Sequence, residues 1–432
     1  MSSQENKLPG YRWVVVAVVC LLCFMANYMQ YQVSALATLV MPEMGIDTAG
    51  FSMLFLAPML IAVFLSIPLG AAGDKIGPKK VVAILSIISV GGAFLRCFTL
   101  DSFMMQFISM FLLGCGISAL NANLVKILGV WFHEKIQTAM GMFYASSCVA
   151  IVVAQICAPM FGTVFNSYIW AAILQLVATI LWIVLARDIP VGETMPPPEP
   201  VMQYLKVAAK SGGTWLIAFG VGLGLATTTA YAGLLPQALE LGKGIDMGTS
   251  GVMAAAVTAA SFFGVLFGPM IADRMGKIKG YLIITTLIGG IVMFATWYTP
   301  VGPVLWVVLL LNGFFTAING PIMQSLPYLL PEIREKYAGS AGGLVGTVST
   351  LVSFFLPTII ASVAGESYAL NFAIESVCFT LAIVIIAILP ELGPKGKVAQ
   401  GIAAREEKGL GPDEYIEQRK LEKAGKSAGQ TL

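Results

Sequence analysis

Few residues of this chain are of a type and spacing able to do covalent chemistry. One histidine, His133, stands among 432 residues, in a polar turn with Glu134 and Lys135. A single imidazole in such a turn assembles no nucleophile–histidine–acid set. The seven cysteines are Cys20, Cys23, Cys97, Cys115, Cys148, Cys157 and Cys378, and all sit inside apolar runs. Cys20 and Cys23 form a C-x-x-C pair, but neither a histidine nor a second pair follows at metal-ligand spacing. They read as packing residues, so no metal is expected. No glycine-rich loop ending in Gly-Lys-Ser/Thr is present, which argues against nucleotide-driven work. Neither an enzyme nor a bound cofactor is expected.

What remains is acid–base pairs and stripes of neutral polar side chains. One loop reads Gly70-Ala-Ala-Gly-Asp74-Lys75-Ile-Gly77-Pro78-Lys79-Lys80, and a second reads Gly268-Pro-Met-Ile-Ala-Asp273-Arg274-Met-Gly276-Lys277. Each has an acid, a base, one apolar residue and a glycine, and the two copies lie at matching places in the two halves of the chain. Such a repeat points to internal duplication. The polar stripes recur at helical offsets: Asn27, Gln30, Tyr31 and Ser34 in one run, and Asn312, Thr316 and Asn319 in another. Each set falls on one face of a helix. Ser118, Asn121 and Asn123 form a third group, and Thr227, Thr228, Thr229 and Tyr231 a fourth.

The elements that must position these groups follow from composition. The chain is 57% hydrophobic and 11% charged, against roughly 25% charged residues in soluble domains. A bilayer accommodates such a surface, because lipid-facing side chains can be apolar. About twenty apolar residues cross the hydrocarbon core as a helix. That rule predicts an all-α membrane protein with spans at 14–40, 52–73, 79–98, 102–127, 136–162, 166–187, 213–236, 249–271, 279–299, 303–329, 338–364 and 368–389. Lys and Arg gather in alternate loops, including Lys75, Lys79, Lys80, Lys135, Lys206, Lys210, Arg274 and Lys277. The positive-inside rule then places both termini in the cytoplasm of a multi-pass inner (plasma) membrane protein. Residues 1–187 form one six-helix half and 212–390 the other. The proline-bearing stretch 188–211 is a cytoplasmic linker and 391–432 a charged tail, with a short helix expected around 412–424. No basic stripe outside the loops and tail suggests a nucleic-acid partner.

The first motif resembles the signature loop of the major facilitator superfamily, G-x-x-x-D-[RK]-x-G-[RK]-[RK]. Pro78 delays the basic pair by one position, and in the second copy Gly268 lies five rather than four residues before the acid. The resemblance extends over residues 12–390 and implies two pseudo-symmetric bundles in a monomer that works by alternating access. It implies gating roles for Asp74, Lys75, Asp273 and Arg274. Asp74 would face the start of span 11 near Gly339 and Ser340, and Asp273 the start of span 5 near Thr138, where free N–H groups attract negative charge. It also implies that spans 1, 4, 7 and 10 line a central cavity. That makes Asn27, Gln30, Tyr31, Asn121, Lys126, Thr228, Tyr231, Asn312 and Asn319 the candidate substrate-binding residues.

Ionisable groups within spans are scarce: Arg96 and Lys126 near span ends, both able to snorkel, and Glu375 inside span 12. An arginine often found in span 4 of the family is replaced at Met110, before Gly114-Cys115-Gly116. The expected substrate is a small organic anion such as a monocarboxylate, held by amides and tyrosines. A neutral or hydrophobic solute is the alternative, and a non-transporting sensor on the same fold is the reading of another class. Glu375 is the one candidate for proton coupling. Span 12 lies outside the family's cavity, so exchange or facilitated diffusion is expected rather than proton coupling through a cavity carboxylate.

Overall fold

The computed structural model describes residues 10–132, 136–188, 201–406, 412–413 and 415–417. His133, the Pro196–Pro198 run and most of the charged tail lie outside these residues, as do the side chains of Asp74, Lys126 and Thr138. Among the described residues, twelve helices are long and apolar enough to cross a membrane. They are α1 (Tyr11–Ala35), α2 (Thr48–Ile76), α3 (Pro78–Leu95), α4 (Phe103–Phe132), α5 (Ile136–Cys157), α6 (Val164–Leu185), α7 (Gly212–Gln237), α8 (Met247–Met275), α9 (Ile278–Tyr298), α10 (Pro303–Ser325), α11 (Arg334–Ala364) and α12 (Tyr368–Ile388). The expected spans match these closely. The largest difference is in the first, which breaks at Leu36 before a short helix, Ala37–Met44. Two further short helices were not expected: Val201–Lys210, within the anticipated linker, and Lys397–Glu406.

The ends of these helices repeat between halves. Asp47 caps α2 by accepting from Gly50 N at 2.8 Å, and Asp246 caps α8 by accepting from Thr249 N at 2.8 Å. Each satisfies an N–H that the first helical turn leaves free. The hydrogen bond to Thr249 holds the Asp246 carboxyl below its usual range. Lys79 N, opening α3, donates to Asp188 Oδ1 at 2.6 Å, just after α6. Ile278 N at 2.9 Å and Lys279 N at 3.2 Å do the same to Glu391, just after α12. Glycines repeat as well. A Cβ at Gly114 would collide with the Pro58 carbonyl oxygen, and one at Gly313 with that of Val257. So α4 packs on α2 as α10 packs on α8, each at a glycine that lets backbones touch. The duplication anticipated from the loop motifs is therefore present in three dimensions.

Between halves, α2 packs on α11 and α5 on α8, with α1 against α7. The named contacts across this seam concentrate at the end remote from the termini. Ser34 Oγ donates to Gly233 O at 2.6 Å, and Thr38 Oγ1 to Glu240 Oε2 at 3.0 Å. The Phe55 ring fills the space where Gly233 lacks a side chain, and a Cβ at Gly251 would strike Gln155 O. At the end bearing the termini, Gly339, Gly342, Gly343 and Gly346 form one face of α11 that meets no neighbour within 4 Å of an added Cβ. Among the described residues, the halves meet at one end, the closed end, while the glycine face leaves space at the other, the open end.

Candidate substrate cavity

The amides of α1 stand where its apolar pattern is interrupted, on the face turned toward α2 and α4. Gln30 Nε2 donates to Phe55 O at 3.1 Å, and Asn27 Nδ2 to Cys23 O at 2.9 Å. Both are half-buried, and with Ala26, Pro58, Leu113 and Ile117 they line a cavity of about 20 Å³. That is room for about one water. Tyr31 is buried, its ring edge-on to Phe55 at 5.2 Å. Asn121 lies one turn beyond Ile117 on the same face of α4 and is exposed. On α7, Thr228 bonds back to Gly224 O at 2.8 Å, and an added Cβ at Gly224 would meet open space. Asn27, Gln30, Tyr31, Asn121 and Thr228 are thus brought to the inner faces of the two halves.

Three expected cavity residues are placed elsewhere. Tyr231 is buried, its hydroxyl 3.0 Å from Thr296 Oγ1 on α9, and its ring packs on Phe372 of α12 at 5.1 Å. Asn312 Nδ2 donates to the same Thr296 oxygen at 3.5 Å. Asn319 donates to Thr286 Oγ1 at 2.8 Å and accepts from Thr285 Oγ1 at 3.1 Å. The polar stripe of α10 therefore faces α9 and holds two helices together, which corrects its assignment to the cavity. The physical reason is local. α9 carries its own hydroxyls at Thr285, Thr286 and Thr296, and an amide in lipid pairs with the nearest ones.

A second correction concerns Arg96. It does not snorkel. It is 0% exposed. Nη1 donates to Met29 O at 3.0 Å and Nη2 to Gln32 Oε1 at 2.6 Å, while Cζ lies 4.1 Å from the centre of the Tyr168 ring. Gln106 Nε2 donates to Arg96 O at 2.6 Å, and Gln32 Nε2 to Ser167 O at 2.7 Å. Long-range partners on α1, α4 and α6 thus enclose a group that sequence position alone puts at a span end. Glu375 is also buried, in the core that holds Tyr231, Phe372 and Phe379, and its Oε2 has no hydrogen-bond partner.

Lys75, Asp273 and Arg274 are exposed at the open end. At the closed end Lys243 Nζ donates to Trp297 O and Thr299 O, both at 2.7 Å, and partial burial pushes its ammonium below the usual lysine range. One inward-facing amide was not anticipated. Gln324 is exposed one turn after Gly320, whose added Cβ would also meet open space. Both lie on the side of α10 opposite the lipid-exposed Val304 and Leu311. A face count that excluded the α9-facing stripe would have found it.

Comparison with known proteins completes the description. The model of the Major Facilitator Superfamily matches residues 17–357. A probable sulfoacetate transporter, SauU of Cupriavidus necator, is 24% identical over 398 residues, covering 84% of this chain and 90% of that protein. A probable nitrate transporter, NarT of Staphylococcus epidermidis, is 22% identical over 362 residues, covering 80% and 89%. A solved bacterial homologue of the human lysosomal transporter Spinster, inward-facing and unoccupied, superposes with a TM-score of 0.72 at 13% identity, covering 88% of this chain and 95% of that one. At that identity the likeness is one of fold.

Proposed function

The chain belongs to the Major Facilitator Superfamily and is a multi-pass membrane transporter rather than an enzyme, and from that premise we propose that it carries a small anion, an organic carboxylate or sulfonate, by alternating access. The observation that carries this reading is the chemistry of the inward faces. Asn27 and Gln30 present amides to the small cavity, Asn121 an exposed amide on α4 and Thr228 a half-buried hydroxyl on α7, with the buried Tyr31 beside them. Amide N–H and hydroxyl groups donate to carboxylate or sulfonate oxygens. The names of the sulfoacetate and nitrate relatives agree with an anion. Gln324 joins these residues as a further candidate, and Lys126 stays a candidate on sequence position alone.

In this reading the open end is cytoplasmic, as the loop lysines and arginines argue. Asp74, Lys75, Asp273 and Arg274 close it in the opposite state. The glycine face of α11 is the surface against which the amino-terminal half then seats. The working unit is the monomer. Glu375, enclosed in the carboxy-terminal half, does not exchange protons with the cavity, so transport is exchange or facilitated diffusion.

The test is flux in reconstituted vesicles with sulfoacetate, nitrate, acetate and lactate beside neutral and hydrophobic solutes. Saturable uptake of one or more anions is expected. Transport confined to the neutral or hydrophobic solutes would replace the anion with the other substrate class.

A further inference from the structure

We propose that Arg96 sets the charge preference of the cavity from behind α1, as a fixed positive charge that substrate never touches. This rests on the anion reading and adds the residue that produces it.

The environment of Arg96 is imbalanced. A guanidinium stays protonated under all ordinary conditions. The partners of Arg96 are a main-chain carbonyl, a glutamine oxygen and a tyrosine face, none of which is charged. Among the described residues no carboxylate pairs with it. Its Nε and the Tyr168 hydroxyl are buried without a hydrogen-bond partner. A buried charge lacking its counter-charge is costly, and a neutral amide would satisfy Met29 O at lower cost. The charge itself therefore has a use beyond holding helices together.

Its position supplies one. Gln32 and Gln30 are two residues apart on α1, so their side chains leave opposite sides of the helix. Gln32 meets Arg96, while Gln30 lines the cavity. The guanidinium thus stands one helix thickness, about 10 Å, from the cavity at Gln30. At an effective dielectric constant of about 20, one charge at that distance changes the affinity for a monovalent anion roughly tenfold, and for a divalent anion roughly a hundredfold. Buried in protein, the field escapes most screening by salt.

That dependence on substrate charge separates an electrostatic role from a structural one. The experiment measures transport and competition by acetamide, acetate and sulfoacetate, which carry zero, one and two negative charges, in vesicles holding the full chain. Arg96→Gln is expected to leave acetamide within about twofold, weaken acetate roughly tenfold and weaken sulfoacetate roughly a hundredfold. Arg96→Lys, which keeps the charge, returns all three solutes toward their wild-type values. Gln32→Glu places a carboxylate beside the guanidinium, at the cost of the bond to Ser167 O but keeping Ser167 Oγ as a donor, and repeats the graded loss without removing the arginine. Should Arg96→Gln fail to insert, Gln32→Glu decides alone. Equal weakening of all three solutes, or no change in Gln32→Glu, overturns the proposal and leaves Arg96 a packing residue. A wild-type protein that takes up neither anion refutes the anion reading itself, a separate outcome.

Discussion

Counted from the two capped lysines, Lys79 and Lys279, the residue that corresponds to Arg96 is Thr296. Both look toward the first helix of their own half. Arg96 reaches Met29 and Gln32 on α1, and Thr296 meets Tyr231 on α7. Around the arginine stand Gln32, Gln106 and Tyr168. Around the threonine stand Tyr231, Asn312 and Phe372. The backbones repeat and the charge does not. One half fixes a positive charge behind its cavity helix, and the other fills the same place with neutral hydrogen bonds. Duplication conserved the packing and left the two halves free to divide the electrostatic work.

The comparison breaks most visibly if the charge is moved across. Made together with Glu375→Gln, which removes the buried carboxyl of that core as a partner, Thr296→Arg is expected to cost about 3 kcal/mol or more. Loss of folded protein, seen by thermal unfolding and size-exclusion in detergent, is the readout, and a stable transporter would show that the halves are interchangeable there. Next in size are the loop motifs. Asp74→Asn is expected to slow transport tenfold or more while leaving insertion intact, since it removes charge at a helix end without changing size. Asp273→Asn, in the copy with the looser glycine spacing, should slow it less. Equal rates for both variants would mean that the two gates bear equal load.

Smaller effects distinguish two uses of asparagine. Asn319→Ala breaks bonds to Thr285 and Thr286 and should lower stability by about 1–2 kcal/mol with KM unchanged. Asn27→Ala should do the reverse, raising KM by about 0.5–1.5 kcal/mol with stability nearly unchanged. Unfolding temperature and KM, measured on both variants, would expose a misassigned face. The least effect is expected of Glu375→Gln, which should leave uptake under an imposed pH gradient within about twofold of wild type. Accumulation that vanishes in that variant would make Glu375 the coupling group and give the carboxy-terminal half a charge of its own.

Much of the fold was legible in the sequence because hydropathy measures the property a bilayer selects. Length and apolarity located all twelve helices, and the two Asp-containing loops disclosed the repeat. The side chains were harder to read. Periodicity shows that Asn312, Thr316 and Asn319 share a face, but not which neighbour that face meets. The deciding residues, Thr285, Thr286 and Thr296, belong to another helix. Sequence position misplaces Arg96 for the same reason. The rule that a terminal arginine reaches for water assumes nothing nearer will take it, whereas Gln32, Gln106 and Tyr168 converge from three other spans. Gln324 escaped notice because a single amide near a helix end makes no stripe.

The carboxylates of Asp188 and Glu391 have a mechanical consequence. Each ties the end of the sixth helix of its half to the start of the third, and Trp182 Nε1, donating to Lys79 O at 3.1 Å, adds a second tie in the first half. Lys279 Nζ, bonded to Ala387 O and Leu389 O, adds one in the second. A bundle stapled in this way resists shear between its own helices. Deformation is left to the seam, where Ser34 meets the main-chain oxygens of Ala232 and Gly233. Opening it frees the Thr38–Glu240 bond and the Phe55 ring at Gly233, few groups beside those inside each half. Stiff halves joined by a lightly bonded seam are the arrangement in which relative motion falls between the halves rather than within them.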